Sequence, residues 1–268
     1  AIRRQRQNVY KRQVLVDTSA ERAENGRKKA IECIRLREEN ELNTHEEAEK
    51  AIELLSTSDD SIKTAENARL VIEAIIENVE AKQNLFAQLD AVLPVEVPIC
   101  SNTSGLRITD ISAKCVHPER TVTTHFWLPA HLVPLVEVVM GDKTDEAVAV
   151  AVRDELRKWK KAPVLVKRDL PGQLANRVFQ AIIRESIDIV ASGLASAEDV
   201  DTAISCGMAM RFPVWGPLKH LDAIGLNLGL SVQETVLPSI CADKTASPYI
   251  KELVEKGDLG AKTGKGFY

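Results

Sequence analysis

The sequence has no apolar run approaching the roughly 20 residues that a membrane span needs, and no secretory hydrophobic region is visible in it. A membrane-spanning or secreted protein is therefore not expected. It has no CxxC pair. Cys33, Cys100, Cys115, Cys206 and Cys241 are scattered, which fits reduced thiols in a cytoplasmic protein better than a disulfide framework or a metal site. It has no excess of positive charge either: a formal charge of -4 gives no general attraction to nucleic acid. The local basic cluster of Arg3, Arg4, Arg6, Lys11 and Arg12 reads as a solvated helix face. Finally, no glycine precedes Gly26, so any Gly-rich phosphate loop is absent from the start of the sequence.

What is present describes a soluble chain of 268 residues, 44% hydrophobic and 28% charged, with room for a large core and two domains. A polar, helical lead-in over Ala1 to Arg12 runs into Gln13 to Asp17, a short strand ending in an acid. Ser19 to Asn43 is charged and helical, and Thr44 caps a further helix. Ile52 to Leu55 reads as a short strand and Leu70 to Glu77 as a buried one with an acid at its tip. Asn78 then opens a helix with Leu85, Phe86 and Leu89 on its apolar face. Further on, Thr144 stands where a helix should be capped, with Val148, Val152, Leu156 and Trp159 at helical spacing, and Val164 to Val166 gives another strand. This alternation predicts an α/β fold, a mostly parallel sheet with helices on both faces. At Asp169-Leu170-Pro171-Gly172 the pattern turns wholly helical. The domains are therefore expected at 1-169 and 170-268.

The most informative stretch runs from Cys100 to Val139. Ser101 to Ser104 forms the polar turn after a buried strand, where open α/β sheets place ligands. His125 closes a second β-branched run, and Glu137 sits inside the apolar run Leu135 to Val139. A carboxylate buried there needs a partner. Histidine is the natural one, and a histidine held by a carboxylate is the usual build of a general base. Each also has a plain structural reading, a satisfied histidine or a solvent-facing acid.

The string SNTS-x-L-x-I-x-x-I over Ser101 to Ile111 is followed by Pro118-Glu119-Arg120, His125-Phe126 and Pro134 to Val139. With Asp169 to Gly172, Asn176-Arg177, Gly216-Pro217-Leu218, Asp222, Gly225-Leu226 and Lys262 to Tyr268 in the same order, it resembles the 3-hydroxyacyl-CoA dehydrogenase family. The resemblance covers the chain from about Asp17 to its last residue. It implies a Rossmann-like NAD-binding domain, a helical substrate and dimerisation domain, and an oxidoreductase of fatty acid metabolism acting as a homodimer. Catalysis would rest on His125 as base, Glu137 as the group that orients it, and Ser104 and Asn176 as polar partners of the reacting oxygen. Asp17, Glu77, Lys82, Ser104 and Lys262 fall where the family contacts NAD. Asp17 also suits a turn aspartate capping the next helix, Glu77 and Lys82 suit helix-end charges, Asn176 a cap, and Lys262 a surface lysine. No metal is implied.

Four departures stand against that pattern. The first strand and the G-x-G-x-x-G loop are missing ahead of Gln13, which reads as a truncated N-terminus. Cys33 replaces a common serine in the helical projection that meets CoA. Leu128 replaces the usual asparagine three residues after the histidine, and His131 adds a second imidazole nearby. Arg211, in Met210 to Trp215, resembles branches that act on free small acids, such as gulonate or carnitine dehydrogenases and lambda-crystallin. There it would pair with a substrate carboxylate, although a surface role fits it as well. The alternatives to a CoA substrate are thus a free 3-hydroxy acid or a non-catalytic structural relative.

Overall fold

The computed structural model describes residues 12–268; the expected leading helix and most of the basic cluster, Arg3 to Lys11, lie outside these. The chain divides into two compact units, one ending at Leu174 and the other Ala175–Tyr268.

The first unit is α/β. Strand β1 (Gln13–Val16) leads to α1 (Ala20–Glu39), which starts where the Ser19 side chain accepts the Arg22 N–H. α2 (His45–Glu53) opens with a full capping box, Thr44 and Glu47 satisfying each other's backbone donors. The strand expected at Ile52 to Leu55 begins later, as β2 (Leu55–Ser58), because α2 continues through Glu53. β1 and β2 form a parallel two-stranded ladder. After α3 (Ser61–Ala65) comes β3 (Val71–Glu73), much shorter than the run Leu70 to Glu77 predicts. The Glu73 carboxylate explains the stop: it accepts the Ile75 N–H at 2.6 Å, turning the chain out of the ladder, and Ile76 is left 73% exposed.

From there α4 (Val79–Val92), capped by Asn78, leads to β4 (Ile99–Ser101), α5 (Ile108–Ile111), β5 (Thr121–Phe126) and β6 (Leu135–Val139). α6 (Glu146–Lys158) and β7 (Ala162–Val166) complete the sheet. Asp145, not Thr144, caps α6; the Thr144 hydroxyl instead accepts the Gly141 N–H and donates to the Thr121 carbonyl. The five strands lie in the order β3-β4-β5-β6-β7, all neighbours parallel except β5 and β6. No ladder joins β1 to β3 among the described residues.

Alternation along the strands sorts the core into two layers. Ile99 packs with Phe86, Leu89, Ile108 and Ile111 from α4 and α5. Its neighbour Cys100 packs with Val122, Val136 and Val138 against Ala149, Val152 and Leu156 of α6. Each such fully buried aliphatic contributes about 1.5–3 kcal/mol. Since Val136 and Val138 face α6, Glu137 must face the other way, and His125 likewise between Thr124 and Phe126.

The turn Asp169 to Gly172 belongs to the first unit, which extends a few residues beyond the expected boundary. Asp169 accepts the Thr109 N–H at 2.9 Å and pairs with Arg107 at 3.2 Å. The second unit is helical throughout: α7 (Ala175–Ala191), α8 (Ala197–Ala203), α9 (Pro217–Ile224), α10 (Leu226–Val236) and α11 (Pro248–Glu255), with tighter and wider helical turns between. Ile187 and Val200 are its buried large hydrophobics, whereas Leu218, Leu226 and Leu230 are exposed.

Candidate active site

β5 and β6 run antiparallel with His125 directly opposite Glu137. That register brings the His125 Nδ1 within 2.9 Å of the Glu137 Oε2. A carboxylate in that position needs several donors, because Glu137 is completely buried. It has them: the Trp127 indole N–H donates to the same Oε2 at 2.9 Å, and the Leu174 backbone N–H donates to Oε1 at 2.9 Å. An imidazole facing a carboxylate through Nδ1 carries its proton there. Nε2 is then the nitrogen free to take a proton.

Of the remaining first-unit candidates, Asp17, Glu77 and Ser104 follow the parallel strands β1, β3 and β4. Asp17 follows β1 with its carboxylate exposed and Oδ1 accepting the Thr18 N–H at 2.7 Å. Beyond β4, the loop carrying Ser104 is held by Glu77, which lies between β3 and α4 and whose Oε1 accepts the Ser104 and Gly105 N–H groups at 3.2 and 3.1 Å and the Thr103 hydroxyl. Burial pushes the Glu77 carboxyl up, but the Thr103 hydroxyl, the Gly105 N–H and Lys82 outweigh it and hold it below the usual carboxylate range.

Lys82 is 1% exposed. Its ammonium lies 2.6 Å from Glu73 and 3.3 Å from Glu77, so it braces the two acids from beneath. Glu73 also accepts the Ser101 hydroxyl at 2.7 Å. Asn102 accepts the Phe126 N–H at 2.9 Å, tying the end of β4 to the residue after His125. Ser104 itself is exposed.

Leu128, standing where the family pattern has an amide, is 81% exposed. His131 is partly buried and its carbonyl accepts the Arg37 guanidinium. Cys33 is partly buried on α1. Cys100 is buried and its thiol is pushed up to about 12 by burial, which leaves it inert packing. Among the described residues no cluster of His, Cys, Asp and Glu is built to hold a metal ion, and no helix is long and apolar enough to cross a membrane. Asn176, Arg211 and Lys262 lie in the second unit: Asn176 partly buried in the first turn of α7, Arg211 and Lys262 exposed in turns.

Sequence reasoning missed Trp127, Glu73 and Asn102. Glu73 had a signal of the same kind as Glu137, an acid inside an apolar run. Trp127 had none, since only the register at the end of β5 shows which way its ring turns.

An acid beyond the β1–β2 ladder, a polar loop beyond β4 of the mostly parallel sheet and a carboxylate-held imidazole are what a dinucleotide-dependent dehydrogenase requires. The comparisons specify which kind. Residues 10–170 match the NAD binding domain of 3-hydroxyacyl-CoA dehydrogenase and residues 172–268 match its C-terminal domain. The chain belongs to the 3-hydroxyacyl-CoA dehydrogenase family, whose members are NAD-dependent oxidoreductases. It is 36% identical over 255 residues to a probable 3-hydroxybutyryl-CoA dehydrogenase of Bacillus subtilis, covering 95% of this chain and 87% of that one. It is 34% identical over 211 residues to the 5-formyl-3-hydroxy-2-methylpyridine 4-carboxylate 5-dehydrogenase of Mesorhizobium japonicum, covering 79% and 68% respectively. A crystal structure of a 5-dehydrogenase of that name, an NAD+ dependent dismutase, superposes with a TM-score of 0.79 at 30% identity, covering 95% of this chain and 82% of the other.

Proposed function

We propose that this protein oxidises the hydroxyl of a 3-hydroxyacyl-CoA to the 3-oxoacyl-CoA, with NAD as acceptor and His125 as general base. The observation that carries the reading is the 2.9 Å contact of His125 Nδ1 with a wholly buried Glu137. Glu137 fixes the ring's tautomer and stabilises the imidazolium that forms when Nε2 takes the hydroxyl proton. The His125 side chain is 10% exposed. Ser104 and Asn176 are the groups assigned to orient the reacting oxygen.

The first-unit residues fit a dinucleotide. Asp17 presents an exposed carboxylate at the end of a parallel strand, suited to ribose hydroxyls. Ser104 and Gly105 are exposed on a loop that Glu77 holds in place. Lys82 serves that site through Glu77, and Lys262 is assigned as a cofactor contact on the family resemblance alone. When bound, NAD supplies the hydride acceptor.

A free hydroxy acid is the second reading. Its support is the likeness to the pyridine carboxylate dehydrogenase, together with Leu128 in place of an amide and an exposed Arg211 able to meet a carboxylate. We also assign the protein to the cytoplasm and to a homodimer. The exposed Leu226 and Leu230, one turn apart on α10, are the apolar side chains we assign to the contact with a second copy.

An NADH absorbance assay separates the two substrates. Turnover of acetoacetyl-CoA with none of free 3-oxo acids supports the first reading, and the converse supports the second. A His125→Gln variant that keeps wild-type turnover would reject the base assignment for both.

A further inference from the structure

The Glu137 Oε2 is shared. His125 Nδ1 and Trp127 Nε1 both point at it, each at 2.9 Å. The two rings meet edge-to-face with centroids 6.4 Å apart and planes at 63°. Trp127 is fixed there by its backbone, whose N–H continues the β5–β6 pairing to the Leu135 carbonyl at 3.4 Å.

A neutral N–H fixed on a carboxylate oxygen withdraws charge from that oxygen. The imidazolium on the other side of it is then stabilised less than by an unshared carboxylate. We propose that Trp127 is a positioning residue that sets the proton affinity of His125 through Glu137 and holds their shared oxygen in line with the ring. The proposal rests on the reading of His125 as base.

Other charged side chains of the first unit have partners of their own. Glu137 faces His125 from β6. On the sheet's other face the Lys161 ammonium stands 5.9 Å from the Phe126 ring and holds the Ala130 and Val133 carbonyls. Arg37 of α1 is taken by the His131 carbonyl. On the α4 and α5 side, Lys82 is bound to Glu73 and Glu77, Asp90 to Arg120, and Arg107 to Asp142 and Asp169. Toward β4 the titratable group is the buried Cys100.

Two replacements of Trp127 test this. Phenylalanine keeps a ring without the donor. Benzothienylalanine keeps the full indole shape with sulfur in place of the N–H. The readout is kcat/KM for oxidation of 3-hydroxybutyryl-CoA by NAD as a function of pH, with the full chain. Without the donor, Glu137 becomes more basic, the imidazolium is favoured, and the working neutral base appears only at higher pH. The acid limb is therefore expected to move upward by about half to one pH unit in both variants, roughly a three- to tenfold loss on that limb. A lowered plateau with an unmoved limb in the benzothienylalanine protein would show that Trp127 only packs, and would overturn the proposal. A wild-type profile lacking any acid limb, or an active His125→Gln variant, would instead overturn the base assignment, and the proposal with it.

Discussion

Replacing Glu137 by glutamine changes one oxygen to an NH₂ and leaves shape almost untouched, so its effect isolates what the carboxylate does. Glu137 is 0% exposed and accepts donors from His125, Trp127 and Leu174, each at 2.9 Å. An amide satisfies two of these through its single oxygen, kept toward His125 and Trp127, and then sets its own N–H against the Leu174 N–H. Turned the other way, it faces both rings with donors. Either arrangement buries an unpaired donor and costs about 1–3 kcal/mol of stability. The catalytic loss is larger, because the imidazole loses both its enforced tautomer and the charge that stabilises its protonated form. Acid–base catalysis of this kind is worth about 10²- to 10⁴-fold, or about 3–5 kcal/mol of barrier. The kcat of Glu137→Gln, measured by NADH absorbance at saturating NAD, should fall within that range, while the KM for NAD changes little. A folded Glu137→Gln protein with kcat within about threefold of wild type would refute the argument that the dyad performs the proton transfer.

Asp90→Asn should leave Arg120, the largest fully buried charged side chain of the first unit, without its counter-charge. Arg120 and Asp90 are each 2% exposed in their side chains and paired at 2.6 Å, so a stranded guanidinium costs about 3–5 kcal/mol in denaturant unfolding. Burial pushes the Asp90 carboxyl up, but the His117 N–H and the Arg120 guanidinium outweigh it and leave it below the usual range. A depressed folded-state value means that its contribution is complete above the unfolded carboxylate's range and is lost as pH falls below about 4. The wild type should lose stability in that window more steeply than Asp90→Asn. Gly141→Ala should cost about 1–3 kcal/mol by overpacking, read as a lower Tm. Its Cβ would stand 2.8 Å from the Ile108 side chain and 3.1 Å from the Thr109 backbone nitrogen, which Asp169 already holds. Alkylation at about pH 8 should label the exposed Cys206 and leave Cys100 unmodified until the chain unfolds, since a thiol pushed up to about 12 has almost no thiolate there. Peptide mass mapping reads both sites.

The parts of the site that were legible in the sequence are those where burial and chemistry conflict locally. Glu137 inside Leu135 to Val139 demands a partner wherever the strand is buried, and His125 was the candidate in the stretch that answers it. Residues such as Asn78 and Thr44 were legible for another reason: their side chains satisfy donors three residues away, within the reach of sequence spacing. Apolar runs were less informative. Leu70 to Glu77 reads as one strand, but a single side chain, Glu73, ends it by accepting the Ile75 N–H, and nothing in the run itself announces that.

What stayed illegible is the layer that joins elements distant in sequence. Lys82 is a cofactor contact by family resemblance and a solvated helix charge by its position; in the fold it is buried between Glu73 and Glu77, and Glu77 in turn holds the backbone of the Ser104 loop. The same rule governs Glu137, whose donors come from β5, from the residue after it and from the end of the first unit. In both cases a buried acid gathers groups from several elements, and the number of donors it needs exceeds what any one strand can offer. Sequence can therefore point to the acid and to one partner. The further donors come through the register of β3 with β4 and of β5 with β6 and, for Glu137, from Leu174 as well.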